Sequence, residues 1–130
     1  MRKKWILVLL FMTQLIMAAS SAGADELPAQ SQQEIAHLLQ YLESSGCQFN
    51  RNGTWYDAVA AKEHINKKYQ YLLDKHQLTS AESFIEKAAT ESSMSGKAYL
   101  VKCGSGEASE SAAWFRAELQ KYRTAHTAIH

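Results

Sequence analysis

The sequence predicts a small α+β domain, about four helices packed on a minimal two-stranded sheet and closed by one disulfide. Three observations predict it. Four segments place apolar residues at helical spacing. Two short alternating segments, around Phe49 and Val101, read as strands, and each carries one of the two cysteines, Cys47 and Cys103. The first 24 residues carry the pattern of an export signal, which places those cysteines in an oxidising space.

That signal is built from Arg2, Lys3 and Lys4, an apolar run over 5–19 interrupted only by Thr13 and Gln14, and then Ala22-Gly23-Ala24. Cleavage is expected after Ala24. A retained anchor needs roughly 20 apolar residues, and Ser20, Ser21 and Gly23 cut the run short. The expected product is residues 25–130, periplasmic or secreted, with no stable membrane anchor. Of 14 basic residues three lie in the signal, so 11 remain against 13 acidic ones. No basic surplus is left for a nucleic-acid partner.

Residues 25–30 hold the sole proline, Pro28, and read as a flexible leader to a single domain over 31–124. Ser31 and Glu34 form a capping-box pattern, and Ile35, Leu38, Leu39 and Leu42 follow on one face, predicting a helix over 31–45 that Gly46 ends. Cys47 opens a strand over 47–51. Asn52-Gly53 turns the chain, either as a hairpin or as a turn into the next helix; the second reading is preferred because Asp57 can cap a helix over 57–75. Its buried face would be Ala58, Ala61, Ile65, Tyr69, Leu72 and Leu73, and Tyr69 and Tyr71 cannot both face inward. Thr79 and Glu82 repeat the capping-box pattern before a helix over 80–91 with Phe84, Ile85, Ala88 and Ala89 buried. Residues 98–103 alternate as a second strand, with Tyr99, Val101 and Cys103 on one side. A last helix spans 111–123, and 125–130 form a frayed tail.

Two cysteines allow one intramolecular bridge, Cys47–Cys103, which would stabilise the fold by about 4 kcal/mol. It requires the two α-carbons within about 7 Å, so the strands must be side by side or on facing layers.

The blocks Phe49-x-Arg51-Asn52-Gly53-x-x-Tyr56 with Ala60, His64 and Lys68, Thr79-x-Ala81-Glu82-x-Phe84-Ile85, and Ser92-Ser93-Met94-Ser95-Gly96-Lys97-x-Tyr99-x-Val101 occur in order over about 35–123. In these the chain resembles the YfeK-like family of small exported bacterial proteins, a domain of unknown function. The resemblance implies export and assigns no catalytic residue. Ser45-Gly46-Cys47 and Cys103 resemble the cysteine-bearing subset of that family, which implies a bridge that reinforces the fold rather than an activity.

Two polar segments are candidate binding elements. Arg51, Asn52 and Gly53, with Tyr56, combine a guanidinium with a turn whose N–H groups can hold a carboxylate or phosphate. The structural alternative pairs Arg51 with Asp57 or Glu63. Ser92, Ser93, Ser95, Gly96 and Lys97 form either a helix-to-strand connection with Gly96 at positive φ or a binding loop. A Ser-Lys or Ser-His pair drawn from Ser93 or Ser95 with Lys97 or His64 would make a small hydrolase. However, S-x-x-K fails at Met94, and a phosphate loop fails at Glu91 and Ala98. His37, His76, His126 and His130 are scattered, so neither a metal nor a cofactor is expected. The expected function is a non-catalytic binding or accessory module of the cell envelope. Its partner would be an envelope protein or cell-wall component, met through a face on which the 51–56 and 92–97 segments lie side by side. The alternatives are the small hydrolase and a structural protein without a discrete ligand.

Overall fold

The computed structural model describes residues 26–127, so the expected export signal and its cleavage point lie outside the described residues. The element order is α1 (Ala29–Ser44), β1 (Gln48–Arg51), β2 (Thr54–Tyr56), α2 (Ala58–Asp74), α3 (Ala81–Ala88), β3 (Leu100–Lys102), β4 (Ser109–Glu110) and α4 (Ser111–Thr127). The class is α+β with four helices, as predicted, but the sheet has four antiparallel strands in the order β2-β1-β3-β4 rather than two.

Both extra strands come from turns. At Asn52-Gly53 both central residues have positive φ, 53° and 87°, as a two-residue type I′ hairpin requires. The chain therefore folds back, and Thr54, Trp55 and Tyr56 pair with Arg51, Asn50 and Phe49 before α2 begins. The hairpin and the capped helix coexist: Asp57 still caps α2, accepting from the Ala60 N–H at 2.8 Å. The two-residue β4 returns from the 104–106 turn onto β3, pairing Ser109 with Val101 and Glu110 with Leu100. So short a strand leaves no periodicity to read.

The predicted capping boxes give way to other contacts. α1 starts at Ala29 behind Pro28, whose fixed φ suits a helix start, with no side-chain cap. Ser31 and Glu34 are buried inside the helix instead. Leu27, in the predicted leader, is buried, and its carbonyl accepts from Gln32 Nε2. α3 is capped by Ser80 with Ser83, not Thr79 with Glu82, and ends at Ala88. The backbone of α4 continues to Thr127, into the segment expected to fray.

The bridge is formed, with Cα atoms of Cys47 and Cys103 4.3 Å apart. Gln48 pairs with Lys102 and Phe49 with Val101, so the cysteines lie one step further along neighbouring strands, side by side. The helices cover one face of the sheet. Phe49 and Val101 point into a core with Ile35, Leu38, Leu42 and Phe84. Tyr69 joins that core while Tyr71 is 59% exposed, resolving the pair as helical geometry demands.

Candidate functional site

Side chains alternate along a strand, so Arg51 shares the helix-facing side with Phe49, and so does Tyr56, the register partner of Phe49. Tyr99, two residues before the buried Val101, faces the same way. α2 crosses this face and offers Ala60 and His64, four residues apart, with Lys68 one turn on. Between sheet and helix lies a cavity of about 230 Å³ lined by Phe49, Arg51, Tyr56, Ala60, Ile65 and Tyr99, among others. A second, of about 440 Å³, adjoins it through Arg51, Tyr56, His64 and Tyr99 and opens under Ser92, Ser93 and Met94.

A chain of hydrogen bonds runs along the shared wall. Arg51 donates to Nδ1 of His64 and, through its other terminal nitrogen, to the Tyr56 hydroxyl at 3.2 Å. A guanidinium can only donate, and this Arg51 nitrogen is nearer to Nδ1 than to Nε2, 3.2 Å away, so we assign Nδ1 as the acceptor and Nε2–H as the donor to the Tyr99 hydroxyl at 3.1 Å. Lys68 donates to the same hydroxyl at 3.2 Å and to the Glu91 carbonyl at 3.0 Å. Arg51 also lies over the Tyr56 ring and Lys68 over the Tyr99 ring.

The electrostatics fit this assignment. Desolvation first, then Arg51, Lys68 and Lys67, pushes the His64 pKa down to about 4, so the ring is neutral at pH 7. Burial also lowers the Lys68 pKa, with Glu91 opposing and Arg51 adding to the shift. Burial raises the Tyr99 phenol, which Arg51 partly offsets.

Above the cavity the two predicted segments meet. Asn52 Nδ2 donates to Ser92 Oγ at 3.2 Å, and the Ser95 hydroxyl donates to Asn52 Oδ1. The 92–97 loop is closed on itself by Ser92 N–H to the Lys97 carbonyl and Gly96 N–H to the Ser92 carbonyl, both 2.9 Å, with Gly96 at φ 72°. Buried Ser92 is its anchor, while Ser93, Ser95, Gly96 and Lys97 are exposed and Met94 is 97% exposed.

Of the sequence candidates, the structure thus brings Arg51, Tyr56 and His64 into the cavity wall and joins Asn52 to Ser92 and Ser95. Gly53 serves the turn, its N–H bound to Asn50 Oδ1. The pairing of Arg51 with Asp57 or Glu63 does not occur; His64 and Tyr56 take one N–H from each of its two terminal nitrogens. Among the described residues, neither Ser93 nor Ser95 hydrogen-bonds His64 or the Lys97 ammonium; Ser95 Oγ instead accepts from the Lys97 backbone N–H. Nor do three or more His, Cys, Asp or Glu side chains gather to hold a metal ion there. No described helix is long and apolar enough to cross a membrane. Lys68 and Tyr99 were missed as site residues. Their signals were present, since Lys68 follows His64 by four and Tyr99 precedes Val101 by two.

A family model described as a family of unknown function (DUF5329) matches residues 29–123. No curated protein and no solved structure matches the chain. The chain belongs to the DUF5329 family.

Proposed function

We propose that this DUF5329 protein is an exported, non-catalytic binding module of the cell envelope, whose binding face comprises the 51–54 turn, the 92–97 loop and the cavity beneath them. The observation that carries the reading is the double tie from Asn52 to Ser92 and Ser95, which fixes two polar loops over a preformed cavity. Ligand sites are of this kind, concave and largely apolar with a few convergent polar groups. A hydrolase is disfavoured by the engagement of the Ser95 hydroxyl with Asn52 and of His64 with Arg51. Export is supported by the signal pattern of residues 1–24 and by the blocks that resemble the YfeK-like family of exported proteins.

Photo-crosslinking amino acids placed in the cell at Thr54 and Lys97 test the face, with exposed Tyr71 as control. The expected result is one shared captured species from the first two positions and none from Tyr71. Capture from neither position overturns the reading in favour of a structural protein without a ligand. Mass spectrometry of the exported protein should find Asp25 at its N-terminus; a cytoplasmic, uncleaved chain would refute export.

A further inference from the structure

The cavity wall is a row of donors without a protein acceptor to receive them. Tyr99 is 4% exposed, and its oxygen already accepts from both His64 and Lys68. With both lone pairs engaged, its own O–H can only donate, and no acceptor among the described residues takes it. The Tyr56 hydroxyl likewise accepts from Arg51 and donates to no described residue. Arg51 has N–H groups left over after His64 and Tyr56, and no described carboxylate forms an ion pair with it. Tyr99 is buried and Arg51 and Tyr56 are half-buried, so a bound acceptor would take up donor capacity that the described residues leave unused.

We infer that this cavity binds a small organic acid, its carboxylate accepting from Arg51, Tyr56 and Tyr99 and its short apolar body lying against Phe49, Ala60 and Ile65. The inference rests on the binding-module reading and names its ligand class. Charge sets the choice of a carboxylate. Arg51 is the one cation on the inner wall of this cavity; Lys68 lines only the adjoining one and spends two of its three N–H groups on Tyr99 and the Glu91 carbonyl. At the exposed rim Lys67 and Glu63 offset each other. One negative charge is thereby matched. A phosphate dianion would carry a second charge against Phe49, Ala60 and Ile65, where nothing compensates it. The planar guanidinium fork also suits the planar carboxylate. The apolar side of the cavity demands a body, because acetate alone would leave that surface wet.

The probes are sodium hexanoate, hexanamide, acetate and inorganic phosphate, titrated into the purified protein and followed by the backbone amide spectrum. Hexanoate should shift the amides of Arg51, Tyr56, Ala60 and Tyr99 saturably. Acetate, hexanamide and phosphate should each bind at least about tenfold more weakly, and Arg51→Gln should weaken hexanoate by about tenfold or more. Tyr99→Phe keeps the ring and removes only the O–H; it should weaken hexanoate a few-fold, and it remains decisive if Arg51→Gln does not fold. Hexanamide binding as tightly as hexanoate would reduce the site to an apolar hole, and phosphate binding as tightly would make it a general anion site. Either overturns the inference, as does an unchanged spectrum with hexanoate. Crosslinks from Thr54 and Lys97 would persist in that case if the face binds another ligand, so failure of the ligand class is separable from failure of the binding reading.

Discussion

Arg123 and Arg51 are held in opposite ways. Arg123, on α4, gives Nε and one terminal nitrogen to the two oxygens of Glu34, the second at 3.0 Å, and its other terminal nitrogen to Glu82. The Glu34 side chain is only 4% exposed. Hydrogen bonds donated to Glu34 and then to Glu82 push the guanidinium pKa up, and three helices, α1, α3 and α4, are pinned by one side chain. Arg51 faces a neutral imidazole, two phenols and a second cation. A charge fully matched by two carboxylates, one of them buried, is a structural device. A charge with donors to spare beside a cavity is held ready for something else.

Four measurements would break or sharpen this contrast. The largest effect should come from the bridge that joins the strand carrying Arg51 to β3. Replacing Cys47 and Cys103 together by alanine frees a loop with a sequence separation of 56. Urea unfolding should show a loss of about 4 kcal/mol in the chain-entropy account.

Next comes the clamp itself. Arg123→Met strands the buried Glu34 carboxylate, and should cost about 2 to 3 kcal/mol, at or below the low end for breaking a buried pair because solvent reaches this guanidinium. A loss under about 0.5 kcal/mol would erase the distinction between the two arginines.

The regions should also separate along the pH axis. His64 has a folded pKa of about 4 against an ordinary 6.5, so its contribution is complete above pH 6.5 and is lost as pH falls toward 4. The groups that face it are Arg51, Lys68, Lys67, Glu63, Tyr56 and Tyr99. The Glu82 carboxyl is held below its ordinary 4.5, first by the hydrogen bond from Arg123, so its share persists above pH 4.5 and is lost only as pH falls further. His64→Gln should therefore flatten the dependence of the urea midpoint between pH 6.5 and 4 and leave the more acidic limb in place. An unchanged slope would mean that His64 is not held neutral.

The smallest effect is expected at Arg51. Arg51→Gln relieves repulsion with Lys68 while giving up hydrogen bonds to His64 and Tyr56, so stability should move by no more than about 1 kcal/mol. A loss comparable to that of Arg123→Met would make Arg51 another structural clamp.

How much of this was legible beforehand depended on the range of the interaction. Asp57 as the cap of α2, the Asn52-Gly53 turn, the buried stripes of α2 and α3 and the exposure of Tyr71 are consequences of helical period or turn chemistry, and all were readable. Glu34 and Glu82 were misread for one reason. Each stands three residues after a hydroxyl residue, the spacing of a capping box, yet both side chains are taken by Arg123, 89 and 41 residues away. A local cap worth about 1 kcal/mol loses at Glu34 to a buried, bidentate ion pair, and at Glu82 to the remaining nitrogen of the same guanidinium.

By itself the sequence determined the α+β class, the four helices, the strand alternation that puts Tyr99 on the same side as Val101, and the single pairing open to Cys47 and Cys103. The tertiary structure alone decided that β2 and β4 join the sheet, that α2 crosses the β1 hairpin at His64 and Lys68, and that a cavity is left there. Period and turn chemistry act over a few residues, whereas a cavity and a network of donors exist only once distant segments pack, and their spacing in the chain carries no record of which will meet.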